Sequence, residues 1–192
     1  MPVNEANFFF RSPRLEPNSP EVVSQLYLLR RDIDACFGID PNTGSPINFR
    51  TIWPGVMAIL AGVDLLGKFL AGDDTQGQVG IRFRDFLEKY FGLSSTDSEI
   101  IYQLRNSLLH SFGLYSETKT KTYRFTLRGG LSGLISNPAA DEYHIDVARL
   151  YDLFVTAVDK FHADLKDTAH ADYAQRDANF MKMLQKHGAI SI

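Results

Sequence analysis

Apolar residues recur at steps of three and four along most of this chain, and this spacing predicts amphipathic helices. The predicted helices span residues 21–37, 53–71, 79–91, 99–112, 146–166 and, with a more polar pattern, 170–187. Ser19 and Pro20 fit the N-cap and first position of the first helix. Helical periodicity therefore dominates the chain.

The period changes from helical to strand-like after the fourth helix. Every second residue is apolar over 123–127, which is typical of a half-buried strand. Gly129-Gly130 permits a turn, and residues 142–145 fit a short partner strand. We therefore predict a mainly α fold, an up-and-down bundle of five to six helices with a small β-hairpin inserted after the fourth helix.

The pattern also predicts how the chain is divided. Residues 1–19 read as an extended N-terminal arm, and Phe8-Phe9-Phe10 is expected to dock in a groove. Docking on its own domain is favoured over binding a partner. Residues 20–192 are predicted to form one helical domain, to which the helix at about 170–187 is appended. A chain of 192 residues with 44% hydrophobic content is large enough for one well-buried core.

Charge and cysteine content narrow the function classes. The net charge of −3 gives no global field that would attract nucleic acid, so any such contact must be local. A single cysteine, Cys36, excludes an internal disulfide and a cysteine metal cluster. No secretory signal pattern is present, so we expect a cytoplasmic protein. The apolar run of 53–71 is interrupted by Asp64 and Lys68 and is predicted to be too short for a membrane span.

The fourth helix, residues 99–112, has two faces of opposite character. Its apolar face carries Ile100, Ile101, Leu104, Leu108 and Phe112. Its polar face carries Glu99, Gln103, Asn106 and His110, with Arg105 at the flank. Thr96 or Asp97 is expected to cap the start, since Glu99 stands at capping-box spacing from Thr96. Gly113 is expected to end the helix.

The sequence Arg105-Asn106-x-x-x-His110 resembles the signature of the HEPN superfamily, an arginine and a histidine four to six residues apart, often with a polar residue after the arginine. At the level of helix order, the resemblance covers about residues 20–166. Proteins of this superfamily are small helical bundles, usually dimeric. Many are metal-independent endoribonucleases of toxin–antitoxin and anti-phage defence systems, and others bind nucleotides or scaffold a partner.

The resemblance implies a catalytic set of Arg105, Asn106 and His110. An acidic residue on an early helix often supports the motif arginine in similar proteins, which makes Asp64 a supporting candidate. The alternative is that Asp64 forms a surface pair with Lys68, four residues along the same helix. Glu99 and Gln103, on the polar face, are further supporting candidates. No cofactor and no metal are expected.

The residue types fit RNA cleavage, in which a proton leaves the 2′-hydroxyl and another reaches the 5′-oxygen. An imidazole exchanges protons near neutral pH, and a guanidinium binds phosphate oxygens. On a straight helix, Arg105 and His110 are about 140° apart. We therefore expect a homodimer whose two motifs line one cleft.

The segment after the motif is rich in cations. Lys119, Lys121, Arg124 and Arg128 occur without an intervening acid and form a candidate track for an RNA backbone. The alternative is a charged strand edge that prevents aggregation.

Three hypotheses follow from the sequence. The first is a dimeric, metal-independent endoribonuclease, for which the resemblance implies a 2′,3′-cyclic phosphate and a 5′-hydroxyl as products. The resemblance also suggests a toxin controlled by an antitoxin protein, or a component of anti-phage defence. The second is a non-catalytic module that binds a nucleotide or a protein partner. The third is a chance motif, in which Asn106 and His110 are hydrated surface groups.

Overall fold

A computed structural model describes residues 3–15, 22–48, 50–187 and 190–191. The helices of this part of the chain are α1 (Val3–Phe9), α2 (Gln25–Cys36), α3 (Ile52–Ala71), α4 (Val79–Phe86), α5 (Ser95–Ser111), α6 (Val147–Lys166) and α7 (Tyr173–His187). A π-helical turn, Leu87–Phe91, continues α4. The strands are β1 (Val22–Val23), β2 (Tyr115–Glu117), β3 (Thr122–Arg128), β4 (Ile135–Ala139), β5 (Glu142–Asp146) and β6 (Ile190–Ser191).

The prediction of an up-and-down helical bundle with a β-hairpin is wrong. The described residues combine seven α-helices with a four-stranded mixed sheet in the order β2-β3-β5-β4, so the fold is a mainly helical α/β mixture. The two predicted strands, β3 and β5, pair in parallel and cannot form a hairpin. A parallel pair needs a crossover connection, and here that connection contains β4, which pairs antiparallel with the outer edge of β5.

The sheet buries one face against the helices. Alternate residues of β3 and β5 point to that face and are at most 5% exposed: Tyr123, Phe125, Tyr143 and Ile145. Helix α5 contacts both β2 and β3. The sheet therefore covers the helix that carries the motif.

Helix α3 is the centre of the helical layer, since it packs against α2, α4, α5, α6 and α7. Its small residues permit these close contacts. A Cβ atom added at Gly62 would lie 2.7 Å from the Phe154 ring, and one at Gly67 would lie 2.8 Å from the Arg82 carbonyl oxygen. Asp64 is thereby held in the middle of the fold, one helix away from the motif.

By length and composition α3 meets the criteria for a membrane span, contrary to our expectation that its apolar run is too short. Half of its most apolar window is buried inside the fold. One such helix is weak evidence for a membrane span, because core helices of soluble proteins meet the same criteria.

The helix boundaries follow the sequence pattern at several places. Helices α3 and α6 lie where predicted, and Asp146 caps α6 by accepting a hydrogen bond from the Arg149 N–H. Helix α2 begins at Gln25, where Ser24 accepts a hydrogen bond from the Tyr27 N–H. The predicted helix start at residue 21 is wrong, because Val22–Val23 form β1 and pair with β6. The predicted capping residues, Ser19 and Pro20, lie outside the described residues.

The N-terminal arm is not extended throughout, because residues 3–9 form α1. Phe9 and Phe10 are buried on the chain's own helices: the Phe9 ring lies 4.3 Å from that of Phe69, and the Phe10 ring lies 5.6 Å from that of Phe161. Docking on its own domain is therefore the arrangement observed.

Candidate functional site

Helix α5 carries the motif and ends in an unusual way. Ser94 caps its start by accepting a hydrogen bond from the Asp97 N–H, so the predicted caps at Thr96 and Asp97 are wrong by two to three residues. At the other end Phe112, rather than Gly113, leaves the helix, with a left-handed φ of 48°. A bulky residue in this region is a strained exception. The prediction that Phe112 belongs to the apolar face is wrong, because this residue is 72% exposed.

Arg105 is fixed by Asp64 across the helical layer. Its Nε and Nη2 atoms donate hydrogen bonds to Asp64 Oδ2 at 2.8 and 2.6 Å. The two side chains are only 13% and 16% exposed, so water screens the ion pair poorly. Among the ion pairs of the described residues, Asp64 pairs with Arg105 and not with Lys68. The supporting contact that the resemblance implied is therefore present.

His110 lies against the same guanidinium. Its Nε2 atom is 2.7 Å from Arg105 Nη1. A guanidinium has only donors, so Nε2 is the acceptor in this hydrogen bond. We expected a dimer because Arg105 and His110 are about 140° apart on a straight helix and neither can easily serve one phosphate alone. The two side chains nevertheless meet within one chain, because the arginine side chain is long and flexible and its tip reaches across this rotation.

Asn106 also contacts Arg105. Its Oδ1 atom accepts a hydrogen bond from Arg105 Nη1 at 3.2 Å. Asn106 therefore contacts the guanidinium, and among the described contacts it makes no hydrogen bond to the His110 ring. Asp64, Arg105, Asn106 and His110 form one continuous cluster, which we call the motif cluster, and His110 is its exposed end.

Glu99 and Gln103 belong to a second network that does not reach the motif cluster in the contacts described. Gln103 Nε2 donates to Glu99 Oε1 at 2.7 Å, and Ser116 Oγ donates to Gln103 Oε1 at 2.6 Å. Arg84 Nη1 completes the network by donating to Glu99 Oε2 at 2.9 Å. This network joins α4, α5 and β2, so Glu99 and Gln103 position the strand beside the motif.

Sequence reasoning missed Arg84 and Ser116 as partners in this network. Arg84 looks like an ordinary solvated residue of an amphipathic helix. Ser116 is the middle residue of a three-residue strand, Tyr-Ser-Glu, whose composition carries no alternating apolar pattern. The one available sequence indication was the clustering of Glu99 and Gln103 one helical turn apart.

The four candidate cations do not gather at the motif cluster. Lys121 Nζ lies over the rings of Tyr123 and Tyr143, at 5.1 and 5.3 Å. A hydrogen bond to Tyr143 raises the pKa of Lys121. Arg128 Nη1 is 3.4 Å from His144 Nδ1.

The other two cations are exposed and do not lie on β2. Lys119 lies in the turn that follows β2, and Arg124 lies on β3 opposite Tyr115. None of the four predicted cations lines the groove beside the motif. A cation track that runs through the motif cluster is therefore not formed in the described residues.

A groove of about 460 Å³ runs between the C-terminal half of α5 and β2. Asn106 and His110 line it from the helix, and Tyr115, Ser116 and Glu117 line it from the strand. His110 therefore faces a space large enough for a small ligand or one nucleotide.

Within the described residues, no group of three or more His, Cys, Asp and Glu side chains has the arrangement of a metal site. Comparisons with protein-family models, with curated proteins and with solved structures found no match to this chain.

Proposed function

We propose that this protein is an endoribonuclease of HEPN type that cleaves RNA through attack of a 2′-hydroxyl, without a metal. The observation that carries the proposal is the 2.7 Å contact between Arg105 Nη1 and His110 Nε2 at the edge of an open groove. It supports the proposal because a guanidinium can bind phosphate and an imidazole can transfer protons, and the two lie close enough together to act on one phosphodiester.

The roles follow from the hydrogen bonds. Nε and Nη2 of Arg105 are held by Asp64, which leaves Nη1 as the atom that turns toward substrate. A phosphate oxygen that accepts from Nη1 takes the place of His110 Nε2. That exchange frees the Nε2 lone pair, and His110 is then a general base of the right type.

The reaction balances with these two groups. His110 takes the proton of the 2′-hydroxyl, the 2′-oxygen forms a bond to phosphorus, and the bond from phosphorus to the 5′-oxygen breaks. The imidazolium returns a proton to the 5′-oxygen, directly or through water. Arg105 stabilises the charge that develops on the phosphate. The products are a 2′,3′-cyclic phosphate and a 5′-hydroxyl.

Association into a homodimer is part of the proposal, as the resemblance implies, and so is a cytoplasmic, toxin-like role controlled by an antitoxin protein. The dimer is no longer needed to bring Arg105 and His110 together. Phe112 is the exposed apolar residue that we expect the second copy to cover, because it follows the motif helix directly.

A non-catalytic module that binds a nucleotide or a protein is the second candidate. It is favoured by one observation, that all three guanidinium nitrogens of Arg105 already have partners within the chain. An arginine that stays in this arrangement would stabilise the fold and would not bind phosphate.

Cleavage of single-stranded RNA in the presence of EDTA separates the candidates. We expect the wild type to cut and His110→Ala to be inactive, and we expect His170→Ala, which changes an exposed histidine far along the chain, to match the wild type. Polynucleotide kinase should label the new 5′-hydroxyl ends directly.

Two results would contradict the proposed ribonuclease activity. No cleavage by any of the three proteins favours the binding module. Equal cleavage by wild type and His110→Ala indicates a contaminating nuclease. For the toxin-like role, expression should slow the growth of the host cell, and His110→Ala should relieve this effect.

A further inference from the structure

The groove beside His110 has an unusual chemical character for a site that handles RNA. Hydroxyl and amide side chains make up most of its lining, including Gln103, Asn106 and Ser116. Among its described residues there is one carboxylate, Glu117, and no lysine or arginine. Such a surface offers both donors and acceptors but little attraction for a phosphate.

The open edge of β2 adds backbone groups to this surface. The Leu114 carbonyl oxygen accepts from the Phe125 N–H, and the Thr118 N–H donates to the Lys121 carbonyl oxygen. Alternate residues of an antiparallel strand point their backbone groups in opposite directions. The N–H and C=O groups of Tyr115 and Glu117 are therefore directed away from β3, toward the open side where the groove lies.

We propose that this groove binds a nucleobase next to the cleaved bond and prefers guanine. The inference rests on the proposed function, because it assigns the groove to the nucleotide that His110 acts on. Single-stranded RNA is generally read by stacking of bases on aromatic rings and by hydrogen bonds to base edges, and this groove offers both.

Glu117 accounts for the proposed preference for guanine. A carboxylate only accepts hydrogen bonds, through two adjacent oxygens. Guanine presents two adjacent donors, N1–H and the N2 amino group, on its Watson–Crick edge. Adenine and cytosine present one amino group beside an acceptor nitrogen, and uracil presents one N–H between two carbonyl oxygens. Guanine alone therefore satisfies both oxygens of Glu117 without placing an acceptor against them.

Tyr115 supplies the stacking surface. Its side chain is 49% exposed, and its hydroxyl donates to Glu117 Oε2 at 3.1 Å. This hydrogen bond sets the ring and the carboxylate side by side on one face of β2. A base stacked on the ring would bring its edge to the carboxylate. Stacking contributes affinity for every base, and the carboxylate contributes the preference.

Binding of oligonucleotides that cannot be cleaved tests this inference apart from catalysis. The probes are fluorescein-labelled 2′-O-methyl hexauridylates in which one internal position is G, A, C or U. Fluorescence anisotropy with the wild type should give an affinity about tenfold higher for the G probe than for the U probe, the discrimination expected of a bidentate contact.

Matched variants assign the preference to the carboxylate. Glu117→Gln should lose the preference for the G probe and keep its affinity for the U probe. Glu142→Gln changes another exposed carboxylate of the same sheet, outside the groove, and should behave as the wild type. Tyr115→Ala should weaken all four probes, and the G probe most, because it also removes the hydrogen bond that positions Glu117.

Equal affinity for the four probes, or an unchanged preference in Glu117→Gln, would overturn the inference. If ordinary RNA is nevertheless cleaved, the proposed function stands without a base pocket. If the G probe binds preferentially and ordinary RNA is not cleaved, the base pocket stands and the proposed catalysis fails.

Discussion

Replacing Asp64 with asparagine tests the contact that fixes the motif cluster. The amide side chain would keep the shape and one acceptor oxygen but lose the charge that faces Arg105. Hydrogen bonds to charged groups contribute about 1.5–3 kcal/mol. Because both side chains keep some solvent exposure, 13% and 16%, we expect Asp64→Asn to lower the free energy of unfolding by about 1–2 kcal/mol.

Thermal unfolding measures this loss. For a chain of this length, each kcal/mol lowers the midpoint by about 2–4 °C, so Asp64→Asn should lower it by about 2–8 °C. The same variant leaves Arg105 less well oriented, so RNA cleavage should fall with it. Lys68→Gln is the matched control, because it removes the alternative partner of Asp64. We expect it to change stability by less than about 0.5 kcal/mol.

A double-mutant cycle of Asp64→Asn and Arg105→Gln measures the interaction energy between these two side chains. The coupling energy should be at least about 1 kcal/mol, since the two side chains are in direct contact. The reasoning would be refuted if the two substitutions lowered the free energy of unfolding additively. It would also be refuted if Lys68→Gln lowered that free energy more than Asp64→Asn. Asp64 would then be one end of a surface pair on α3, and Arg105 would be held by Asn106 and His110 alone.

Two further predictions concern histidines. Burial, with Lys166 nearby, lowers the pKa of His162 to about 4 in the folded state, so between that value and about 6.5 only the unfolded chain binds the proton. Stability should therefore fall as the pH is lowered through this range, and more steeply for the wild type than for His162→Gln; parallel curves would contradict this. In the second prediction, the Arg105→Ala protein is mixed with the His110→Ala protein. The mixture should not recover RNA cleavage, because Arg105 contacts the histidine of its own chain. Recovered activity would show that the pair works between subunits.

The helical part of the fold was largely predictable, because it rests on local information. Helices α3 and α6 follow from an apolar stripe, and the cap of α6 follows from Asp146. The sheet was not predictable in the same way. Strand β4, Ile-Ser-Asn-Pro-Ala, is mostly exposed and contains Pro138, which is tolerated at a sheet edge but gives no strand pattern. Without β4, the parallel pairing of β3 and β5 cannot be inferred, since it depends on contacts between distant residues.

The candidate site shows the same division between local and distant information. The positions of Arg105, Asn106 and His110 on one helix came from the sequence, and the resemblance supplied Asp64. Their mutual contacts did not follow from helical geometry. Angles around a helix axis describe where Cβ atoms point, whereas a guanidinium is carried on a stem that spans more than a helical turn in several rotamers. A contact between residues five apart is therefore available to arginine through the choice of rotamer.

Asp64 selects among those rotamers. With Nε and Nη2 bound to Asp64 on α3, the plane of the guanidinium is set, and Nη1 is directed toward Asn106 and His110. A helix that neighbours α5 thus determines where Nη1 of Arg105 points. Asp64 and the motif residues therefore form one unit within a single chain. Under the proposed function, we expect a second copy of the chain to enclose the groove and the substrate, since Arg105 and His110 already meet without it.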